Sequence, residues 1–244
     1  MIRVMVNGAS GRMGRAVIRI ADETGKMSVT HKVDTADGFE NIEGVPAGDV
    51  DAVIDISSPE GFKKALKWAV SNRKPFISGT TGLEISDLVS LESAAEIIPV
   101  LHTSNLSRGV NILFEIMKKA ALITGDADIE IIETHHNKKK DAPSGTALEL
   151  GKIISSGQST RKLKPVNGRS GITGERAVNE IGYHSIRCGD VPGEHTVIFG
   201  YQGERIETTH RALTRDIFAN GAIEAALFLA GKKPGRYSMK DVIS

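Results

Sequence analysis

One cysteine, one tryptophan and three tyrosines are all that this 244-residue chain holds of those residues. The lone Cys188 can close no internal disulfide, and no Cys or His neighbours stand at ligand spacing to build a zinc cluster around it. A reducing compartment is therefore expected. Cys188 falls in the alternating run Tyr183 to Asp190, where a buried, small apolar residue is expected rather than a reactive thiol. Charge excess is also lacking, since 31 Lys and Arg oppose 30 Asp and Glu for a net +1. That balance supplies no general field for gripping a polyanion, so nucleic acid is not an expected partner. There is no uninterrupted apolar run of about 18 residues, and the N-terminus opens on a strand pattern without a basic leader. Neither export nor a membrane span is expected, and the location expected is the cytoplasm. Hydrophobic residues at 40% and charged residues at 25% carry no disorder signature. The length suits two modest domains.

What is present is a rhythm. Short apolar runs at Ile2 to Asn7, Ser28 to Asp34, Ala52 to Ile56, Phe76 to Ser78 and Val100 to His102 alternate with amphipathic segments. Those segments run from Arg12 to about Asp22, Glu60 to about Asn72 and Ile85 to Ala95, a βαβ order that predicts a Rossmann-like, doubly wound parallel sheet. From Gly109 to about Ile123, Val110, Leu113, Phe114, Met117 and Ala121 recur at helical spacing, and a strand begins at Ile129. A short helix near Gly145 to Ser155 follows, and then a polar segment, 157 to 174, that reads as a mobile loop. Three runs with period-two alternation, Ile181 to Cys188, His195 to Tyr201 and Arg205 to Ala212, predict antiparallel strands. The almost wholly apolar helix from Ile217 to about Leu229 stops at Gly231 and is returned to the first domain. The expected architecture is α/β: residues 1–106 plus 216–244 bind a dinucleotide, and 107–215 form an inserted α+β domain with a mixed or antiparallel sheet for substrate and oligomerisation.

Gly8-Ala9-Ser10-Gly11-Arg12-Met13-Gly14 lies between the first strand and first helix. Glycines there let the backbone approach a pyrophosphate, and the positive helix end favours the anion. A glycine pattern by itself equally suits a tight turn. Asp34 strengthens the binding reading, because it ends the second strand 20 residues beyond Gly14 and can accept hydrogen bonds from ribose hydroxyls. Its charge opposes a 2′-phosphate, although Arg12 and Lys32 can offset it, so NADH is expected to serve well, with NADPH left open as the alternative. Its other reading is a strand-end turn former. The loops Gly79-Thr80-Thr81-Gly82 and Thr103-Ser104-Asn105-Leu106 follow later strands, where such a sheet presents its crevice. They are candidates for the nicotinamide and its ribose, and read alone each suits a helix cap as well.

The densest chemistry lies between Glu130 and Ala147. Ser144 is placed to cap a helix, putting the Gly145 and Thr146 amides where an anion binds, and Lys139 adds positive charge. His135 and His136 can donate a proton near neutral pH. The competing account makes Lys138 to Lys140 a solvated charge run and the histidines loop residues. A metal is not expected, since adjacent histidines rarely converge on one ion and no third ligand is near.

Glu130 to Ala147 resembles the signature of dihydrodipicolinate reductases: Glu, aliphatic, any, Glu, any, His, then after three residues Lys, then Asp-x-Pro-Ser-Gly-Thr-Ala. Every fixed position is present. The resemblance runs through Gly11 to Gly14, Gly79 to Thr81, Asn105, Gly174 to Arg176, Gly189 to Thr196 and Phe218 to Ala222. It implies reduction of 4-hydroxy-tetrahydrodipicolinate by hydride transfer from NADH or NADPH in lysine and diaminopimelate synthesis. It further implies His135 as general acid, Lys139 as its catalytic partner, and His136, Ser144, Gly145 and Thr146 as contacts to a small dicarboxylate substrate. A homotetramer built through the second-domain sheets is implied as well. Leu106 stands where some members carry Phe, and Ser58 where some carry Arg. Two other readings keep the fold: a dehydrogenase of another small oxoacid or semialdehyde, and a dinucleotide-binding redox sensor without catalysis.

Overall fold

The computed structural model describes residues 1–244, which divide into two compact units, 1–108 with 216–244 and 109–215. The first begins β1 (Ile2–Asn7), α1 (Arg12–Thr24), β2 (Met27–Val33), β3 (Ala52–Asp55), α2 (Pro59–Ser71), β4 (Phe76–Ser78), α3 (Ile85–Ala95) and β5 (Pro99–His102). The second contains α4 (Arg108–Ile123), β6 (Asp128–His135), α5 (Gly145–Gly157), β7 (Lys164–Asn167), β8 (Glu180–Arg187), β9 (Gly193–Tyr201) and β10 (Glu204–Ala212). The chain then completes the first unit with α6 (Asp216–Leu229), β11 (Gly235–Tyr237) and α7 (Met239–Ile243).

The first unit's six strands are all parallel in the order β11-β5-β4-β3-β1-β2. Such a sheet must be covered on both faces, so its central strands β3 and β4 are buried along their whole length. Val4, Val6, Ile54, Ile77 and Leu101 pack in one core with α1 and α6 residues, whereas Met5, Val53, Phe76 and Val100 pack in another with α2 and α3 residues. The strand order reverses at β1, and the crevice that opens beyond the carboxyl ends of strands at such a reversal is where ligands bind in sheets of this kind. The edge strand β11 escapes sequence reading: three residues, Gly-Arg-Tyr, carry no periodicity.

In the second unit the order is β10-β9-β6-β8-β7. β10 and β9 form an antiparallel hairpin and β9 runs antiparallel to β6, but β8 lies parallel to β6 and to β7. This corrects the expectation of three consecutive antiparallel strands: β6 inserts between β8 and β9, so they are not neighbours. Alternation reports which face a residue occupies, not strand direction. The polar segment after α5 holds a strand that the sequence did not announce, β7, and Arg169 within it donates to Glu130, as does Arg176 just beyond it. α4 and α5 cover one sheet face, packing Leu113, Met117, Leu150 and Ile154 on Ile129, Ile131, Tyr183, Val197 and Phe199. Cys188 is exposed, against expectation, because it follows the end of β8 at Arg187 and two-residue spacing sets it with Ile186 on the sheet face that α4 and α5 leave uncovered.

Candidate active site

In the first unit the turn after β1 fits a pyrophosphate. Gly8 sits at φ +88°, and its amide and that of Ala9 both donate to Val33 O, at 3.0 and 3.1 Å. A Cβ at Gly8 would stand 2.6 Å from Ile56 O, and one at Gly14 would collide with Gly8 O and the Ala9 backbone. Only glycines allow strand, turn and helix to approach this closely. Gly11 caps α1 with no side-chain hydrogen bond, so the helix's positive end is left for an anion.

Asp34 is fastened to that turn. Its Oδ2 accepts the Ser10 amide at 2.9 Å and the Ser10 hydroxyl at 2.8 Å, and its Oδ1 accepts the Thr35 and Ala36 amides. Partial burial acts to raise its carboxyl, but these bonds, led by the Ser10 hydroxyl, hold it below the usual range. A cleft of about 720 Å³ opens beside it, lined among others by Gly8, Ser10, Gly11, Asp34, Ser57 and Lys64. A second cleft of about 310 Å³, sharing Ile56 and Ser57, is lined by Met13, Gly79, Thr80, Thr81, Thr103, Ser104, Asn105, Leu106 and Phe218. Ala9 faces the core instead, and Arg12 is exposed on the first turn of α1. Between the clefts lies a carboxylate that sequence reading passed over. Asp55, fully buried, accepts from Asn7 Nδ2, Ser57 Oγ, Ser78 Oγ and Thr80 Oγ1 at 2.5–2.9 Å, while Thr80 Oγ1 also accepts the Ser57 amide. One side chain thereby joins the loops after β1, β3 and β4. Burial pushes its carboxyl up despite the four donors.

In the second unit the end of β6, the loop after it and the start of α5 bring His135, Lys139 and Ser144 into one cluster. Ser144 caps α5, its Oγ accepting the Ala147 amide at 3.2 Å, so the Gly145 and Thr146 amides occupy the first turn. Lys139 Nζ pairs with Asp141 at 2.8 Å. His136 and Asn137 are held through their amides by Val191 O and Gly189 O. His135 is buried. Its Nδ1 lies 2.5 Å from Glu133 Oε2, and its ring meets that of His195 edge to face at 5.2 Å. Desolvation lowers the His135 pKa most, the Lys139 and Arg187 charges lower it further, and Glu133 opposes them without reversing the sign.

Three more members of this cluster were absent from the expected site: Glu133, Arg187 and His195. Arg187 grips Glu133 with both terminal nitrogens, at 2.8 and 2.9 Å. His195 Nε2 meets Ser144 Oγ at 3.1 Å, and burial above all pushes its pKa down to about 3. One signal pointed to Glu133. Along β6 the inward positions read Ile129, Ile131, Glu133, His135, so a carboxylate takes a core position where its alternation calls for an apolar residue. No signal marked Arg187, and His195 stood out only as part of the resembling segment Gly189 to Thr196; register places the two opposite His135 and Glu133.

The chain matches two family profiles, "Dihydrodipicolinate reductase, N-terminus" over residues 2–106 and "Dihydrodipicolinate reductase, C-terminus" over 109–243. A protein of Syntrophotalea carbinolica named 4-hydroxy-tetrahydrodipicolinate reductase is 41% identical over 265 residues, covering 100% of this chain and 99% of that one. An Akkermansia muciniphila protein of the same name is 44% identical over 250 residues, covering 100% and 98%. Among solved structures, the dipicolinate-bound dihydrodipicolinate reductase of Paenisporosarcina sp. TG-14 superposes with a TM-score of 0.84 at 22% identity, over 100% of both chains. A probable dehydrogenase of Thermotoga maritima reaches 0.63 at 13% identity, covering 99% and 92%.

Proposed function

Because the chain belongs to the dihydrodipicolinate reductase family, we propose that it reduces 4-hydroxy-tetrahydrodipicolinate to tetrahydrodipicolinate in lysine and diaminopimelate synthesis. Substrate, NAD(P)H and one proton give tetrahydrodipicolinate, NAD(P)⁺ and water. When bound, the reduced nicotinamide supplies a hydride to C4 of the conjugated ring that remains once water has left. The protein's part is to bind, orient and protonate.

The observation that carries this reading is the joining of a buried imidazole, His135, to a capped helix N-terminus and a lysine within one strand-loop-helix. The amides of Gly145 and Thr146, with Lys139, hold a carboxylate of the ring, and His136 and Ser144 complete the contacts. Lys139 leaves Asp141 for the substrate, exchanging one anion for another. In the resting site burial keeps His135 neutral. A dianionic ring beside it raises its pKa again, loading Nε2 with the proton that the neighbouring ring carbon receives as the enamine becomes an imine. Fixed donors aimed at the carboxylates turn an encounter into an oriented transfer.

On the cofactor side, the Gly8 to Met13 turn and Asp34 take the pyrophosphate and adenosine ribose, and the cleft at Gly79, Thr80, Thr81 and Thr103 to Leu106 takes the nicotinamide end. The enzyme works in the cytoplasm, where a lone exposed thiol such as Cys188 stays reduced. It assembles as a homotetramer through the sheet face opposite α4 and α5, where Ile132, Ile186 and Ile198 lie and Ile186 is 47% exposed.

The test is oxidation of NADH, then of NADPH, with substrate generated in place from pyruvate and aspartate semialdehyde by a dihydrodipicolinate synthase. Rapid oxidation that depends on the synthase is expected. NADH binding without such oxidation would overturn the reading in favour of another substrate or of a redox sensor.

A further inference from the structure

Glu133 is 1% exposed, and a carboxylate so far from water stays charged only if its lone pairs are filled. All are used. Oε1 accepts the Ser144 amide at 3.2 Å and Arg187 Nη2 at 2.8 Å, and Oε2 accepts Arg187 Nη1 at 2.9 Å and faces His135 Nδ1 at 2.5 Å. The arrangement follows from register. Glu133 and His135 are two residues apart on one strand and so share its inward face, while Arg187 pairs with His135 across β6 and β8.

We propose that Glu133, clamped by Arg187, is the positioning residue for His135. Resting on the reading of His135 as proton donor, this assigns Glu133 the Nδ1 proton, which fixes the tautomer and leaves Nε2 as the atom that transfers a proton. Room exists at that atom, since a Cβ added at Gly193 would lie 3.0 Å from Nε2 and glycine has none. Arg187 keeps Glu133 an acceptor. Burial would raise the carboxyl, but bonds from Arg187, Ser185 and His135 hold it at about 2, so it orients the imidazole without taking the proton from it. Through the Ser144 amide the same carboxylate sets where α5 begins, tying the proton donor to the anion-binding turn. The charged and titratable groups facing His135 are Glu133 on its own strand, Arg187 on β8, His195 on β9 and Lys139 on the following loop. Of these only Glu133 favours the imidazolium.

The rival account is a strand-to-strand ion pair that supports the sheet and leaves His135 indifferent. Glu133→Gln separates the two. Turnover in the synthase-coupled assay is expected to fall on the order of 10²-fold with NADH affinity unchanged. Because the donor is the imidazolium, kcat falls as pH rises through its pKa, and without the Glu133 anion that fall is expected at lower pH. A lowered Tm with wild-type kcat and pH profile would overturn the proposal. A second measurement uses the unmodified enzyme: ring ¹⁵N shifts of His135, assigned by their loss in His135→Gln. A protonated Nδ1 and bare Nε2 are expected, and the opposite tautomer would overturn the proposal even if Glu133→Gln failed to fold. If the wild-type enzyme showed no synthase-dependent oxidation, the functional reading would fall, while the tautomer would still decide what Glu133 does.

Discussion

The hydroxyl of Ser144 lies 3.1 Å from Nε2 of His195, and the same oxygen accepts the Ala147 amide at 3.2 Å. One side chain thus starts α5 and holds a buried imidazole of β9. Ser144→Ala removes both bonds. Loss of the cap costs about 1 kcal/mol, and a buried His195 nitrogen left without a partner adds about 1–3 kcal/mol. At roughly 2–4 °C per kcal/mol for a chain of this size, a drop in Tm of several degrees is expected, together with a raised KM for substrate. Thermal melts and coupled kinetics measure both, and an unchanged Tm would show that neither bond matters in solution.

His195 should make stability fall with acid. Its folded pKa of about 3 lies below the ordinary 6.5, so protons bind the unfolded chain preferentially. The stabilisation is whole above pH 6.5 and is lost as pH falls from 6.5 toward 3. His195→Asn is expected to flatten the loss between pH 6.5 and about 5, above the range where carboxylates titrate. Urea titrations of both proteins across that window check this, and parallel slopes would show that His195 titrates normally.

The proposed ribose contact of Asp34 bears on the choice of cofactor. Asp34→Ala removes the charge opposing a 2′-phosphate and also frees Ser10 from its two bonds. The ratio of kcat/KM for NADH over NADPH is expected to fall about 10-fold or more, which is ~1.4 kcal/mol. NADH itself should bind more weakly because the turn loosens. The two ratios, measured side by side, test this; an unmoved ratio would assign Asp34 to the turn alone.

His135→Ala should lower turnover by about 10²–10⁴-fold while sparing NADH affinity, because the nucleotide clefts draw on other residues. Lys139→Ala should raise KM and lower turnover as well, since the proposed Lys139 charge both holds the substrate and bears on His135. Steady-state kinetics with fluorescence titration of NADH separate these effects, and full activity in His135→Ala would remove the acid role.

Legibility in the sequence differed between the units for a physical reason. In the first, the central parallel strands are buried on both faces and followed by helices, so composition announces them: Ala52–Asp55 is buried throughout, as is Phe76–Ser78. In the second, neighbours along the chain are not neighbours in the sheet. Nothing local to Glu180–Arg187 says that it will pair in parallel with β6 rather than fold back on β9. The site divides the same way. His135, Lys139 and Ser144 stand within ten residues and could be read together, whereas Arg187 and His195 reach His135 from 52 and 60 positions away.

By itself the sequence determined the parallel sheet, the glycine turn that leaves a helix end open to an anion, and the capped helix that follows His135. Each is a local consequence of periodicity, backbone freedom or capping. Only the tertiary structure decided which way β8 runs, that Cys188 is exposed, and that Glu133 is clamped by Arg187 against His135. Those outcomes depend on pairing between distant strands, where register brings together side chains that share no local pattern.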